Sequence, residues 1–464
     1  MTSSLLARAP KSAVPLFLLT EKQFGAWLKK EPKRTAHALE MQGFKGKPGS
    51  FGLIQNTQGK LARVVAGISD TPSLWDIADF STRLPKGAYK LESDLPLAYR
   101  EWLSLGWVLG SYRFTRYKKS AAVKAKLVLT EGADAAKIER YASAICLART
   151  LITTPAEDMG PQELAAAADE IAKEHGAKIT QIIGDDLLKK NYPAIHRVGR
   201  ASAHKPRLID IHWGKETQPK ITLVGKGVTF DTGGLDIKPS SGMYLMKKDM
   251  GGAACVLALA SMIMGAKLPV RLRVLIPAVE NAISGNAFRP SDIITMRSGT
   301  TVEVGNTDAE GRLILADALA EAMTDKPDLL IDFATLTGAA RGALGTELPA
   351  LFCNDDTLAE KILTSGKEME DPLWRMPLHK PYQKMLESPI ADLNSAPGSP
   401  YAGAITAALF LQHFAGGKTK WAHIDLMAWN LSSKPGRPEG GEAMGVRAIF
   451  RVIESLADAS RADG

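Results

Sequence analysis

From Pro155 onward, short apolar runs alternate with helix-like patterns, and this alternation restricts the fold more tightly than any other feature of the 464-residue chain. Residues 209–213, 221–225, 270–277 and 329–335 read as strands, and residues 164–175, 251–266 and 313–324 as helices. Strand and helix in this order build a parallel or mixed sheet covered by helices. In such sheets, ligands collect at the carboxyl ends of the strands.

The start of the chain is built on a smaller scale. Residues 13–19, 51–54 and 62–66 read as short strands among helical patterns, and residues 131–153 as one long helix with Ala142, Ile145, Cys146 and Leu151 facing a core. A chain of this length exceeds one small core, so two domains are expected. The expectation is α/β throughout: a small N-terminal α/β domain over residues 1–128 and a linking helix over 129–156. A larger domain over 157–464 would carry a mixed, largely parallel sheet flanked by helices. The Gly- and Pro-rich residues 433–445 read as a surface loop.

Composition narrows the setting. Hydrophobic content of 45% and charged content of 23% are those of a soluble globular protein. Three well-separated cysteines without a CxxC pair fit free thiols in a reducing compartment, hence the cytoplasm. Residues 13–19 lack a following cleavage site, and the uncharged residues 250–266 are rich in Gly and Ala, which fits a helix packed inside a protein. No membrane is expected. The net charge of +8 and the tract 113–119, which interleaves bases with aromatics, permit a nucleic-acid surface. A solvated interdomain edge with the aromatics tucked under is favoured instead.

Residues 305–313, GNTDAEGRL, hold two acids and an arginine at alternate positions. If the segment is extended, Asp308, Glu310 and Arg312 share one face. Acids opening a helix over 313–324 would read as capping instead, and taken alone the stretch leaves both readings open. A second cluster follows the strand at 221–225: Lys226, Asp231 and Lys238 in a glycine-rich turn, then Asp249 at the mouth of the Gly/Ala helix. No phosphate-loop, HExxH or GxSxG pattern occurs. Asp231, Asp249, Asp308 and Glu310 all fall where a strand or loop meets a helix, and carboxylates gathered there call for divalent cations.

The stretches KGVTFDTGGLDIKPS, MKKDMGGAA, NTDAEGRLILADAL and TLTGA together resemble the leucyl aminopeptidase family of dinuclear-metal peptidases, over roughly residue 153 to the C-terminus. The N-terminal third resembles that family only in LGSYRFTRYKK. The resemblance implies an aminopeptidase that hydrolyses the N-terminal peptide bond of peptides through a water bridged by two divalent metal ions. It implies Lys226, Asp231, Asp249 and Glu310 as ligands of one ion, and Asp231, Asp308 (side chain and backbone carbonyl) and Glu310 as ligands of the other. Lys226 would have to be neutral to ligate. Zn²⁺ or Mn²⁺ are the implied metals, with Co²⁺ or Mg²⁺ as alternatives.

Also implied are Lys238 as the group that polarises the scissile carbonyl and stabilises its oxyanion, and Arg312 as the holder of a bicarbonate that shuttles the proton. Both are expected in a solvent-accessible cleft. Met246 would floor the first side-chain pocket, with Thr335, Leu336 and Gly338 lining its approach, which favours an apolar N-terminal residue. A homohexamer is implied, with a nucleic-acid role allowed but not favoured. A two-metal phosphoesterase would want more histidines and a set of phosphate-clamping arginines, where only Arg312 is available. Two departures stand out: Thr153 replaces the usual Asn before Thr-Pro, and Leu426, Met427 and Trp429 replace small residues after Asp425. The second puts leucine preference in question.

Overall fold

Tyr89 and Trp107 are fully buried in the first of two units into which the chain divides, Met1–Cys146 with Ser432–Glu439; the second is Leu147–Leu431 with Gly440–Gly464. The computed structural model describes residues 4–120 and 122–462. In the first unit the strands are Leu5–Leu6 (β1), Val14–Thr20 (β2), Phe51–Gln55 (β3), Leu61–Ile68 (β4), Gly87–Glu92 (β5) and Ala125–Val128 (β6). They form one sheet in the order β1-β6-β5-β2-β4-β3, parallel except for the β3–β4 pair. Leu16, Val64, Leu91 and Trp107 pack in its main core. The long helix begins at Ala135, four residues later than the sequence pattern predicts, because Gly132 turns the chain at φ +80° just before it. In the basic tract, Tyr117 is 54% exposed, contrary to the expectation that its aromatics tuck under.

The second unit holds Lys178–Ile183 (β7), Arg207–Trp213 (β8), Lys220–Gly225 (β9), Gly227–Asp231 (β10), Arg271–Asn281 (β11), Ile293–Thr295 (β12) and Thr301–Glu303 (β13). It continues with Leu329–Ala334 (β14), Ala350–Cys353 (β15), Trp374–Arg375 (β16), Leu393–Asn394 (β17) and Lys420–Asp425 (β18). Nine of these form a mixed sheet in the order β16-β15-β18-β14-β9-β11-β8-β7, with β10 paired to β11. The centre, β18-β14-β9-β11, is parallel throughout, and antiparallel pairs occur only at β15–β18, β11–β8 and β8–β7. The fold is thus the mixed, largely parallel α/β architecture that the alternation predicts. A small sheet of β12, β13 and β17 stands beside it.

The helix Gly251–Gly265 shows why its sequence is Gly- and Ala-rich. A Cβ on Gly252 would lie 2.0 Å from the carbonyl oxygen of Phe333, and one on Gly225 only 2.5 Å from Val256. Helix and strands therefore touch at backbone distance, which larger residues would prevent. Ser240–Gly265 is long and apolar enough to cross a bilayer, but 89% of its most apolar 18-residue window is buried within the fold, as a core helix would be. The three cysteines are free and buried.

Residues 433–445 are not one surface loop. Gly440 to Gly445 are buried, and Glu442 forms a two-point ion pair with buried Arg149 (Nε–Oε1 3.0 Å, Nη2–Oε2 2.9 Å). Gly441 packs so near Ile152 that a Cβ would come within 2.6 Å. Gly441 thus serves close packing, while Gly440 (φ +127°) and Gly445 (φ +77°) turn the chain inside the fold.

Candidate active site

The parallel centre of the large sheet aims five strand ends at one edge, and each supplies a polar residue. Lys226 follows β9, Asp231 ends β10, Asn281 ends β11, Thr335 follows β14 and Asp425 ends β18. All five are at least nine-tenths buried. Beyond β10 the chain must turn sharply, and Gly233 (φ +87°) and Gly234 (φ +65°) take left-handed conformations that only glycine adopts without strain. That turn closes with Lys238 N donating to Thr232 O at 2.9 Å, and so returns the Lys238 side chain to Asp231.

Residues 307–309 form a single 3-10 turn and the helix starts at Glu310, so the extended reading of this segment fails. Asn306 directs it: its side chain accepts from Asp308 N at 2.7 Å and seeds the turn. Asp308 and Glu310 nevertheless converge. Oxygens of Asp231, Asp308 and Glu310 lie within 4.8 Å of one another.

Two lysines thread the acids. Lys226 Nζ sits 2.7 Å from Asp249 Oδ2 and 3.0 Å from Glu310 Oε1, and Lys238 Nζ sits 2.9 Å from Asp231 Oδ2 and 2.5 Å from Asp308 Oδ1. Burial and the charge of Asp231 hold the Glu310 and Asp308 carboxyls well above the usual carboxylate range. Burial alone would lower the Lys226 ammonium, but Asp249, Glu310 and Asp231 together hold it above its ordinary value. For Asp249, the charges of Lys226 and Lys248 outweigh burial and pull the carboxyl below its ordinary value.

Several contacts escape sequence reasoning. Asn281 Nδ2 donates to Asp231 Oδ1 at 2.8 Å, and Thr335 Oγ1 donates to Asp249 Oδ1 at 2.8 Å while its carbonyl accepts from Lys226 Nζ at 3.2 Å. Thr335 therefore orients an acid and a lysine besides lining the cleft. Arg312 reaches the cleft as expected but is largely buried there, because Nη1 donates to Ser395 O at 2.7 Å, just past β17. Lys238 keeps a side-chain exposure of 15%.

A cleft of about 360 Å³ opens over this cluster. Lys226, Asp231, Lys238, Asp249, Asp308 and Arg312 line it, as do Met246, Thr335, Leu336 and Gly338. Every sequence-predicted site residue except Glu310, which lies beneath, faces it. Residues 426–429 do not: Leu426, Ala428 and Trp429 are buried, and Lys247 Nζ lies 5.2 Å above the Trp429 ring.

The cluster tests well as a seat for divalent cations. Glu310 Oε2 is buried with no hydrogen-bond donor among the described residues, and the converging oxygens with one lysine nitrogen are a donor set that such ions take. An acid-and-lysine centre at the carboxyl ends of parallel strands defines an α/β enzyme. Known proteins make the class specific. The catalytic domain of the cytosol aminopeptidase family matches residues 146–450, and the N-terminal domain of M17 aminopeptidases matches residues 14–130.

Probable cytosol aminopeptidases are 41% identical over 78% of this chain and 76% of theirs (Caulobacter vibrioides), and 42% identical over 75% and 73% (Syntrophotalea carbinolica). The crystal structure of the cytosol aminopeptidase from Coxiella burnetii superposes with a TM-score of 0.95 at 49% identity, covering 98% of this chain and 99% of that one. The bottromycin maturation enzyme BotP in complex with Mn gives 0.87 at 31% identity, covering 96% and 100%. The chain belongs to the cytosol aminopeptidase family, and hydrolysis of peptides from the N-terminus is the activity that membership supports.

Proposed function

We propose that the chain is a two-metal aminopeptidase whose ions are held by Lys226, Asp231, Asp249, Asp308 and Glu310. The observation that carries this reading is the convergence of oxygens of Asp231, Asp308 and Glu310, with Glu310 Oε2 buried and no hydrogen-bond donor to it among the described residues. Two divalent ions bound there would supply an activated water and a Lewis acid for the scissile carbonyl.

The chain's own residues do the rest. Lys226 would hold an ion through its neutral amine, its proton passing to solvent as the ion binds. Asn281 and Thr335 fix the carboxylates of Asp231 and Asp249 by hydrogen bonds. Such outer contacts orient ligands and tune their basicity. Lys238, released from pairing with Asp231 and Asp308, turns its ammonium to the oxyanion. Arg312, anchored through Ser395, would hold a bicarbonate with its remaining N–H groups, and that anion would supply a proton relay to the leaving amine. Met246 floors the pocket for the N-terminal side chain, with Thr335, Leu336 and Gly338 along its approach, so apolar residues are accepted.

The site is read as working in the cytoplasm within a homohexamer. Exposed Ile237 and Tyr244, beside the β10 turn, are apolar surface that assembly would cover. The test is to strip the protein with chelator, reload it with Zn²⁺, Mn²⁺, Co²⁺ or Mg²⁺, and assay leucine amide. Two metal equivalents and metal-restored turnover are expected. Full activity of the stripped protein, or two tight equivalents retained in Glu310→Ala, would overturn the assignment, and an active monomer by sedimentation would overturn the assembly.

A further inference from the structure

Lys248 lies between Met246 and Asp249 on the 3-10 turn Met246–Met250, and its side chain is 1% exposed. It lines the cleft, yet Nζ is buried with no hydrogen-bond partner among the described residues. Leaving a buried donor unpaired costs about 1–3 kcal/mol, more for a charged group, so the position calls for an explanation. The acids within electrostatic reach are already engaged. Asp249 holds Lys226 and the Thr335 hydroxyl, and Asp425 accepts from Leu336 N, Thr337 N and Thr337 Oγ1.

A second unpartnered donor faces the same cleft. Arg341 lines it too, and its Nη1 is buried without an acceptor among the described residues. The two side chains are near enough for the charge of Arg341 to act on Lys248. The helix Gly403–Phe414 opens onto this wall at Gly403, its N-cap Ala402 supplies no side-chain acceptor, and its first turn adds partial positive charge. Among the described residues, no carboxylate answers these donors.

We propose that Lys248 and Arg341 form a carboxylate-binding subsite in the cleft, so that peptides with an acidic N-terminal side chain, glutamate above all, are substrates alongside apolar ones. The aliphatic stem of glutamate takes the contacts with Met246 that an apolar residue would take, and its carboxylate then reaches the donors beyond. In either protonation state Lys248 keeps N–H groups to give, and the Arg341 guanidinium offers a planar fork of donors suited to a carboxylate. The C-terminal carboxylate of a dipeptide has the same chemistry and is the other source. This inference rests on the aminopeptidase reading for turnover but not for binding.

The test compares kcat/KM on glutamate and leucine amides, and on Leu-Gly against Leu-Gly amide, for the metal-loaded wild type, Lys248→Met and Arg341→Met. A fall of tenfold or more in the glutamate-to-leucine ratio in both variants is expected. The same fall confined to the Leu-Gly pair would assign the subsite to the C-terminal carboxylate and overturn the side-chain assignment. Ratios that move less than tenfold in both pairs would overturn the subsite altogether. Calorimetric titration of L-glutamate and L-leucine into the same proteins reads the subsite without turnover: inactivity on every amide would sink only the aminopeptidase reading, while glutamate binding unchanged in both variants would sink this one. Arg341, partly exposed on a short helix, keeps the test decisive should Lys248→Met fold poorly.

Discussion

A Cβ on Gly311 would lie 2.5 Å from Cε and 2.7 Å from Nζ of Lys226. The helix that begins at Glu310 thus keeps its second residue bare so that a lysine from the end of β9 can lie across it. The obstructed atoms are the far end of a flexible side chain, so Gly311→Ala should fold normally while pushing Lys226 away from Asp249 and Glu310. Metal affinity and kcat/KM should drop about 10–100-fold, the usual cost of disturbing a ligand through its support. Metal titration beside thermal unfolding checks this, and unaltered affinity would mean that Lys226 is no ligand.

Gly252→Ala should behave in the opposite way. Its Cβ would meet the Phe333 carbonyl, which is backbone and cannot swing aside. Overpacking of this kind costs about 1–3 kcal/mol. Urea unfolding should show that loss, and a variant as stable as wild type would contradict the close helix–strand contact.

Lys238→Ala should lower kcat by about 10²–10³-fold with metal content kept, as expected for one lost oxyanion donor. Arg312→Ala should differ from what an exposed cleft residue would give. It strands Ser395 O in the interior, so a stability loss of about 1–3 kcal/mol should accompany its loss of rate. Loss of metal in Lys238→Ala, or an Arg312→Ala protein that melts like wild type, would reverse these roles.

The Arg149–Glu442 pair should set part of the acid stability. Burial alone would raise the Glu442 carboxyl, but Arg149 by charge and hydrogen bond, with Asn430, holds it below its ordinary 4.5. A folded-state value below the unfolded one means the stabilisation is present above about pH 4.5 and drains away as pH falls through the folded value. Urea midpoints measured from pH 7 down to pH 3 should therefore fall less steeply in Glu442→Gln than in wild type. Arg149→Met, which leaves a buried charge unpaired, should cost about 3–5 kcal/mol at pH 7. An equal acid slope in Glu442→Gln would remove the pair from the account.

The acids were legible in the sequence because three ordered motifs carry them, each where a strand or loop meets a helix, although any one of them alone could be read as a cap. How residues 307–312 fold was not, since capping and alternation predict the same letters and only the Asn306 hydrogen bond separates them. The burial of Arg312 was hidden because its acceptor, Ser395, lies 83 residues away. Lys248 was masked by its neighbour Asp249, which drew the chemical reading to itself. Composition misled at Gly440 to Gly445, where the turning glycines lie buried and Gly441 marks contact with Ile152 instead of a surface loop.

Five strand ends feed the site, and they are spread from Lys226 to Asp425 along the chain. No contiguous fragment short of that span contains it, and contacts so distant in sequence form late, after the loops between them have closed. A chain emerging from synthesis is therefore inert as a peptidase until β18 has taken its place beside β14, and the cell meets the activity only in molecules whose central sheet is finished.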